Sequence, residues 1–211
     1  LSRELQRQEL EKVLVEVEEF AMNDYAEALL KGAALSKDQR QKVVEKISRY
    51  TGLSREYVEQ SNLRISMGRF AKELLKDEAR TVGRFDSRYV GIALDAPDDT
   101  YEYDASAAAL FGPFTAALNH YLRAELNVEQ DKVYEILTGN VHPWSYKRFE
   151  NRYVEAAEPW RKAMSKNLFM KVFVASGYYD LATPYFAADY TFNHLALEAQ
   201  LRKNVSMHYY P

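Results

Sequence analysis

Apolar positions recur along the first third of the chain at helical spacing. Leu5, Leu10, the adjacent Val13 and Leu14, Val17, Phe20 and Tyr25 recur at spacings of three to five, which predicts an amphipathic helix over residues 1–30 with one face turned to a core. Gly32 fits its end. In "SKDQRQKVVEKISRYTG", Ser36 with Gln39 three residues on reads as a capping box, Val43, Val44 and Ile47 form the inward stripe, and Gly52 is the terminator. Residues 54–60 and 66–76 read as two further helices, the second with Phe70, Leu74 and Leu75 inward. The expected architecture of this part is a helical bundle.

The period dissolves in "RTVGRFDSRYVGIALDAPDDTYEYD", where Gly83, Gly91 and Pro97 interrupt it and acidic residues crowd the end; a loop with at most a short strand is expected. "ASAAALFGPFTAALNHYLRAELN" resumes a helix that Gly112-Pro113 should kink or split. "KVYEIL" is strand-like. Glu158-Pro159 opens a helix with proline in its first turn, Trp160, Ala163 and Met164 inward and Asn167 near its end. Residues 168–176 then have the composition of a buried strand, Thr183-Pro184 starts a helix lasting to about His194, and "NVSMHYYP" is a final strand.

Helices therefore dominate to about residue 166, and strand, helix, strand follows. That order is the building block of a parallel sheet, so the fold class is α/β. Two strands do not make such a sheet alone. The chain begins at Leu1 rather than Met and stops at "VSMHYYP" directly after a strand; both ends read as cut. The expectation is a fragment whose remaining sheet lies before Leu1, divided into a helical cap or insertion (1–104), connecting helices (105–166) and a C-terminal piece of sheet (167–211).

Composition narrows the function classes. The 211 residues are 47% hydrophobic, enough for a sizeable core. A net charge of −3 with scattered Lys and Arg gives no stretch suited to a phosphate backbone, so no nucleic-acid partner is expected. Absence of cysteine excludes disulfides, thiolate catalysis and cysteine-based zinc sites. No apolar run approaches the roughly 20 residues that span a bilayer, and no basic start leads into an apolar signal core; no membrane partner is expected.

The candidate chemistry centres on "SGYYDLATP". Asp180 lies just past a strand and three residues before the Thr183-Pro184 helix start, at the sheet edge where open α/β folds gather ligands and catalytic groups. A triad acid and a turn or capping aspartate both fit that place. No G-x-S-x-G elbow occurs in the chain; Ser106, Ser165 and Ser176 read as a cap, a helix-face residue and a strand-end residue. Of His120, His142, His194 and His208, only the last two follow Asp180, as the hydrolase order Ser, Asp, His requires. His194 closes a helix and His208 lies within a strand, so neither is placed as a mobile base. No H-E-x-x-H is present, and "DAPDDTYEYD" lacks the glycine and terminal glutamate of an EF-hand loop; its carboxylates read as a solvated loop, and neither metal nor cofactor is expected. Arg80, Arg84 and Arg88 recur every four residues. They fit surface pairing with Asp86 and Glu78, or one of them, Arg84, receives a substrate carboxylate through its planar fork.

The stretch "NLFMKVFVASGYYDLATPYFAADYTFNHLALEAQLRKNVSMHYYP" resembles the C-terminal part of bacterial serine carboxypeptidase family proteins, the α/β-hydrolases related to carboxypeptidase C and cathepsin A. "YTGLSREYVEQSNLRISMGRFAKELLKDEARTVGRFDSRYVG" and "GPFTAALNHYLRAELN" resemble the same branch, so the likeness spans nearly the whole chain. It implies an incomplete α/β-hydrolase: a helical cap followed by the last sheet elements, with Asp180 as the triad acid. The family's nucleophilic serine, in a G-E-S-Y-G type elbow, would lie upstream, and its histidine, after a "YY-x-x-G-H" type end, a few residues beyond Pro211. The implied activity is release of residues from peptide C-termini, with a peptide substrate, the missing N-terminal core as intramolecular partner, a secreted or periplasmic location and an inactive 211-residue fragment. The rival expectation is a non-catalytic helical module that binds a partner protein.

Overall fold

A computed structural model of the chain describes residues 10–95, 98, 100–130, 132–155 and 157–211. The expected helix start with Leu5, the breaker Pro97 and Asp99 of the acidic loop lie outside the described residues. The chain falls into two compact units that divide at Ala105 and Ser106.

In the first unit, the stripe read as one helix is three pieces: α1 (Leu10–Phe20), a π-helical turn (Ala21–Tyr25) and α2 (Ala26–Lys31). The extra residue of the π turn explains the five-residue gap between Phe20 and Tyr25. It brings their rings into a stack with centroids 5.9 Å apart and keeps the apolar positions before and after it on one face. Gly32 closes α2 at φ 52°, a conformation that disfavours a side chain. Helix α3 (Lys37–Thr51) opens on the expected capping box: Ser36 Oγ accepts from Gln39 N and Gln39 Oε1 accepts from Ser36 N, both at 3.3 Å. It ends at Gly52 in the left-handed region. Helix α4 (Arg55–Gln60) is capped by Ser54, whose hydroxyl accepts from Tyr57 N, and α5 (Met67–Glu73) follows. Val13, Phe20, Val43, Val44, Ile47, Tyr50, Leu53 and Val58 pack into one core.

Beyond α5 the expected loop contains a hairpin, β1 (Arg80–Val82) and β2 (Val90–Ile92), paired antiparallel with Thr81 opposite Gly91. Its order comes from distant residues. Thr81 is buried and its hydroxyl donates to the Ala71 carbonyl of α5; Tyr101 and Tyr103 donate to the carbonyls of Val82 and Ile92. A Cβ on Gly91 would meet the Tyr103 hydroxyl at 2.2 Å, so only glycine lets that tyrosine cross the strand.

The second unit opens with α6 (Ala105–His120), which runs through Pro113 without the expected split and continues into a π turn (Tyr121–Glu125). Alanines on both sides of the proline supply strong helix formers that offset its lost hydrogen bond. "KVYEIL" forms no strand: Val133 and Leu137 are exposed, and no ladder partner for them exists among the described residues. In α7 (Ala157–Lys166) Met164 is buried as expected, whereas Trp160 and Ala163 are exposed. Strand β3 (Val172–Gly177) is shorter than expected and half-buried, because Asn167 closes a turn by accepting from Phe169 N at 3.2 Å. Val172 packs with Met164, Leu195, Leu197 and Leu201, while Phe173 on the other face is exposed. Helix α8 (Tyr185–Asn193), short α9 (Ala199–Arg202) and β4 (Val205–Tyr210) complete the unit. Strands β3 and β4 pair in parallel, Val172 opposite Val205 through Gly177 opposite Tyr210, the expected strand, helix, strand unit. The architecture is a mixed helix and sheet protein with small sheets.

Candidate active site

Strand β3 delivers the chain to the carboxyl edge of the parallel pair, where Tyr178 N donates to the Tyr210 carbonyl at 2.9 Å. There the backbone turns back on itself, Asp180 N donating to the Gly177 carbonyl at 3.3 Å. A Cβ on Gly177 would meet only ordinary contacts with Asp180. The turn therefore depends on the aspartate more than on the glycine.

The Asp180 carboxylate is held from its C-terminal side. Oδ1 accepts from Ala182 N at 2.7 Å and Thr183 N at 3.0 Å, and Oδ2 accepts from the Thr183 hydroxyl at 2.5 Å. This is the short-range pattern by which an aspartate organises a turn ahead of a helix, here α8. A carboxylate offers about four lone-pair sites. The three bonds fix its rotamer and leave acceptor capacity on Oδ2 for one further donor.

Around this edge stands a cluster of tyrosines. Tyr178 stacks on Tyr209 with centroids 5.8 Å apart, and the Tyr185 ring meets both edge-on at 5.3 and 5.6 Å. The Tyr209 hydroxyl donates to Asp189 Oδ1 at 2.5 Å, which ties β4 to α8. Sequence reasoning did not single these rings out. Their signal was the repeated "YYD…PYF…HYY", aromatic positions flanking both strand ends.

The structure does not join any histidine of this chain to Asp180 through a hydrogen bond. His194 ends α8 with its ring 4.0 Å from that of Tyr190 and Nδ1 2.6 Å from the Tyr190 carbonyl. His208 sits in β4 opposite Ala175 and stacks on Phe173 at 4.9 Å, on the exposed face of the pair. His120 closes α6, and His142 follows a short 3-10 turn. Ser106 is buried in the first turn of α6, Ser165 is exposed on α7, and Ser176 lies in β3 opposite Tyr209. None of the three serines is presented on a strand-to-helix elbow.

Arg84 lies in the other unit, in the turn of the β1–β2 hairpin. Its backbone N donates to Asp104 Oδ1 at 3.0 Å, its Nε stands 3.8 Å from Asp104 Oδ2, and its guanidinium covers the Phe85 ring at 4.8 Å. A carboxylate thus already faces it. Arg88 makes a bidentate pair with Asp86, Nε to Oδ1 at 2.9 Å and Nη2 to Oδ2 at 2.7 Å, and this pairing lowers the Asp86 carboxyl below its ordinary range. Surface pairing with Asp86 accordingly describes Arg88.

The acidic loop is less solvated than its composition predicts. Lys72 of α5, 2% exposed, donates to Glu102 Oε1 at 2.5 Å and to the Asp95 carbonyl at 2.6 Å, and Asp95 N donates to the same Glu102 oxygen. The Lys72 ammonium and the Asp95 amide hold the Glu102 carboxyl below its usual value of 4.5. These bonds strap the loop to the helix. Among the described residues no group of three or more His, Asp or Glu could hold a metal ion, and no helix is long and apolar enough to cross a membrane.

No protein-family model matches the chain, and no curated protein or solved structure matches it either.

Proposed function

We propose that the chain is part of a serine carboxypeptidase-like α/β-hydrolase in which Asp180 is the acid of a Ser-Asp-His triad. The supporting observation is its position: a carboxylate fixed by Ala182 and Thr183 at the carboxyl edge of a parallel β3–β4 pair, with one acceptor site left over. Parallel pairing brings the end of β4 to that same edge, so a histidine a few residues after Tyr210 would enter beside Asp180. In such a triad the serine oxygen attacks the scissile carbonyl as its proton passes to the histidine, and the aspartate fixes the imidazole tautomer and stabilises the imidazolium. Serine and histidine are supplied by chain outside these 211 residues, and the 211 residues alone are inactive. Substrates are peptides, acted on in the periplasm or after secretion. Arg84, already facing Asp104, receives a carboxylate only by exchanging that partner.

The test is turnover and fluorophosphonate labelling of the full-length protein, wild type against Asp180→Asn. Asparagine keeps an oxygen for the Ala182 and Thr183 amides, so the turn survives while the charge is lost. A fall in kcat of about 10⁴-fold with folding intact is expected. Equal turnover would remove Asp180 from the triad.

A second reading, a non-catalytic interaction module, draws on one observation: the helices between Leu10 and Glu73 close a core of their own. Sequencing the gene on either side separates the two. A G-x-S-x-G elbow upstream and G-H downstream favour the hydrolase, and absence of both favours the module.

A further inference from the structure

We infer that Tyr101–Asp104 is a strap that opens and closes over the β1–β2 hairpin as one unit, taking β2 with it, and that the buried Lys72–Glu102 pair is its latch. The inference stands apart from the hydrolase reading. Four successive side chains fasten the strap. Tyr101 and Tyr103 donate to the carbonyls of Val82 and Ile92, each at 3.0 Å, so each strand of the hairpin is held once. Glu102 Oε1 accepts from Lys72 Nζ of α5 at 2.5 Å and from Asp95 N at 2.8 Å, and Asp104 Oδ1 accepts from Arg84 N at 3.0 Å. The strap therefore grips the backbone on both sides of β2, which lies between Arg84 and Asp95.

Three observations set this element apart from the core beneath it. The hairpin has three residues in each strand, and a two-stranded hairpin is marginal on its own. Its strands are unequally anchored: β1 lies against α5 with Thr81 and Val82 buried, whereas Val90, Ile92 and Leu94 of β2 and its continuation are exposed. The order of β2 therefore rises and falls with the strap. The latch is a buried ion pair, Lys72 being 2% and Glu102 16% exposed, and the desolvation of such a pair offsets much of its attraction. Closure also leaves Glu102 Oε2 and Arg84 Nε buried without a hydrogen-bond partner, a cost that water relieves once the strap lifts. The closed state is thus specified by many bonds yet shallow. Lys72 makes its loss all or none. Its ammonium donates to Glu102 Oε1 and to the Asp95 carbonyl, and a buried ammonium that loses its counter-charge must reach water, which draws strap and loop away from α5 together. Because Asp104 ends the strap, opening also withdraws the carboxylate that faces Arg84.

Hydrogen exchange of the 211-residue chain, read amide by amide by NMR, tests the strap. The amides of Arg84 and Asp95, bonded to strap carboxylates, and those of Gly83 and Ala93, bonded across the hairpin to Tyr89 and Ala79, should share one protection factor, roughly 100-fold or more below that of Ile47 in the helical core. Glu102→Gln, which strands the Lys72 ammonium, should speed all four by about tenfold or more and leave Ile47 and the α5 amide of Leu74 unchanged. Lys72→Met combined with Glu102→Leu removes both charges and should return the four to the wild-type rate or below it. Tyr103→Phe, which buries no charge, should speed the same four amides by a smaller factor. Unrelated rates among the four, wild-type exchange in Glu102→Gln, or a double variant as fast as Glu102→Gln would each overturn the strap. Loss of protection at Ile47 together with the four in Glu102→Gln would overturn it too, by making the pair part of the core.

Discussion

The two units solve the problem of burying apolar surface in opposite ways. Between Leu10 and Glu73 the helices pack Val13, Val43, Val44, Ile47, Leu53 and Val58 into one core, and the charged residues outside it pair across helices, as in Arg40 with Glu59 and Arg49 with Glu16. After Ser106 the core is smaller, Met164 with Val172, Leu195, Leu197 and Leu201, while Val133, Leu137, Trp144, Tyr153, Phe169 and Phe173 lie exposed. The difference follows from the elements. A helix presents one apolar stripe, which its neighbours cover, whereas a strand has two faces and two edges, and a single parallel pair covers few of them. Burial in the second unit is accordingly concentrated on one side of β3.

The largest expected effects break this contrast directly. Leu53→Ala in the helical core should cost roughly 2–5 kcal/mol, read as a lower urea midpoint of the helical circular dichroism signal. Leu195→Ala should cost a similar roughly 2–5 kcal/mol in the second unit, read by tryptophan fluorescence, since Trp144 and Trp160 both lie after Ser106. Phe173→Ala should change that fluorescence transition by less than about 0.5 kcal/mol. Parity between Phe173 and Leu195 would mean that the outer face of β3 is covered.

Next in size come the local caps, one in each unit. Ser36→Ala removes one side of the capping box and should cost about 1 kcal/mol; Asp180→Ala removes the acceptors of Ala182 and Thr183 and should cost about 1 kcal/mol as well. Asp180→Asn should cost less, because one oxygen remains. Chemical denaturation of the three variants ranks them, and an Asn variant as unstable as the Ala variant would show that charge rather than geometry holds the turn.

The smallest effects are titrations. Arg161, with Lys162 assisting, pulls the Glu158 carboxyl from 4.5 down to about 2. A folded-state value below the unfolded one means that the pair stabilises α7 fully above about pH 4.5, and the contribution fades as pH falls towards 2. Glu102 behaves in the same sense through Lys72, its contribution being lost below its usual 4.5. Acid titration of α7 helicity should flatten between pH 4.5 and 2 in Glu158→Gln relative to wild type; superimposable curves would discount the pair.

What could be read from the sequence was what is local. Ser36 with Gln39 and Gly52 mark both ends of α3 because cap chemistry lies within a few residues of the helix it closes. Strand, helix, strand after residue 167 was legible for the same reason, and so was the position of Asp180 between a strand end and Thr183-Pro184. The five-residue gap from Phe20 to Tyr25 carried the π turn in plain view, yet a helical period averaged over thirty residues absorbs one extra residue. Distant partners left no such trace. The hairpin at Arg80–Ile92 is ordered by Tyr101 and Tyr103, Arg84 is met by Asp104, and Glu102 by Lys72 thirty positions earlier. "KVYEIL" shows the converse error: strand propensity without a ladder partner makes no strand.

The parallel register has a consequence for the order in which the chain is built. Helices α1 to α5 close hydrogen bonds four residues apart, so they form quickly as the chain emerges. Val172 must wait for Val205, which at synthesis rates of roughly 5–20 residues per second is a delay of about 2–7 s. During that interval β3 has its apolar residues and open backbone without the strand they are made for. The edge that carries Asp180 is thus finished only once β4 has emerged, and until then it is open to a chaperone.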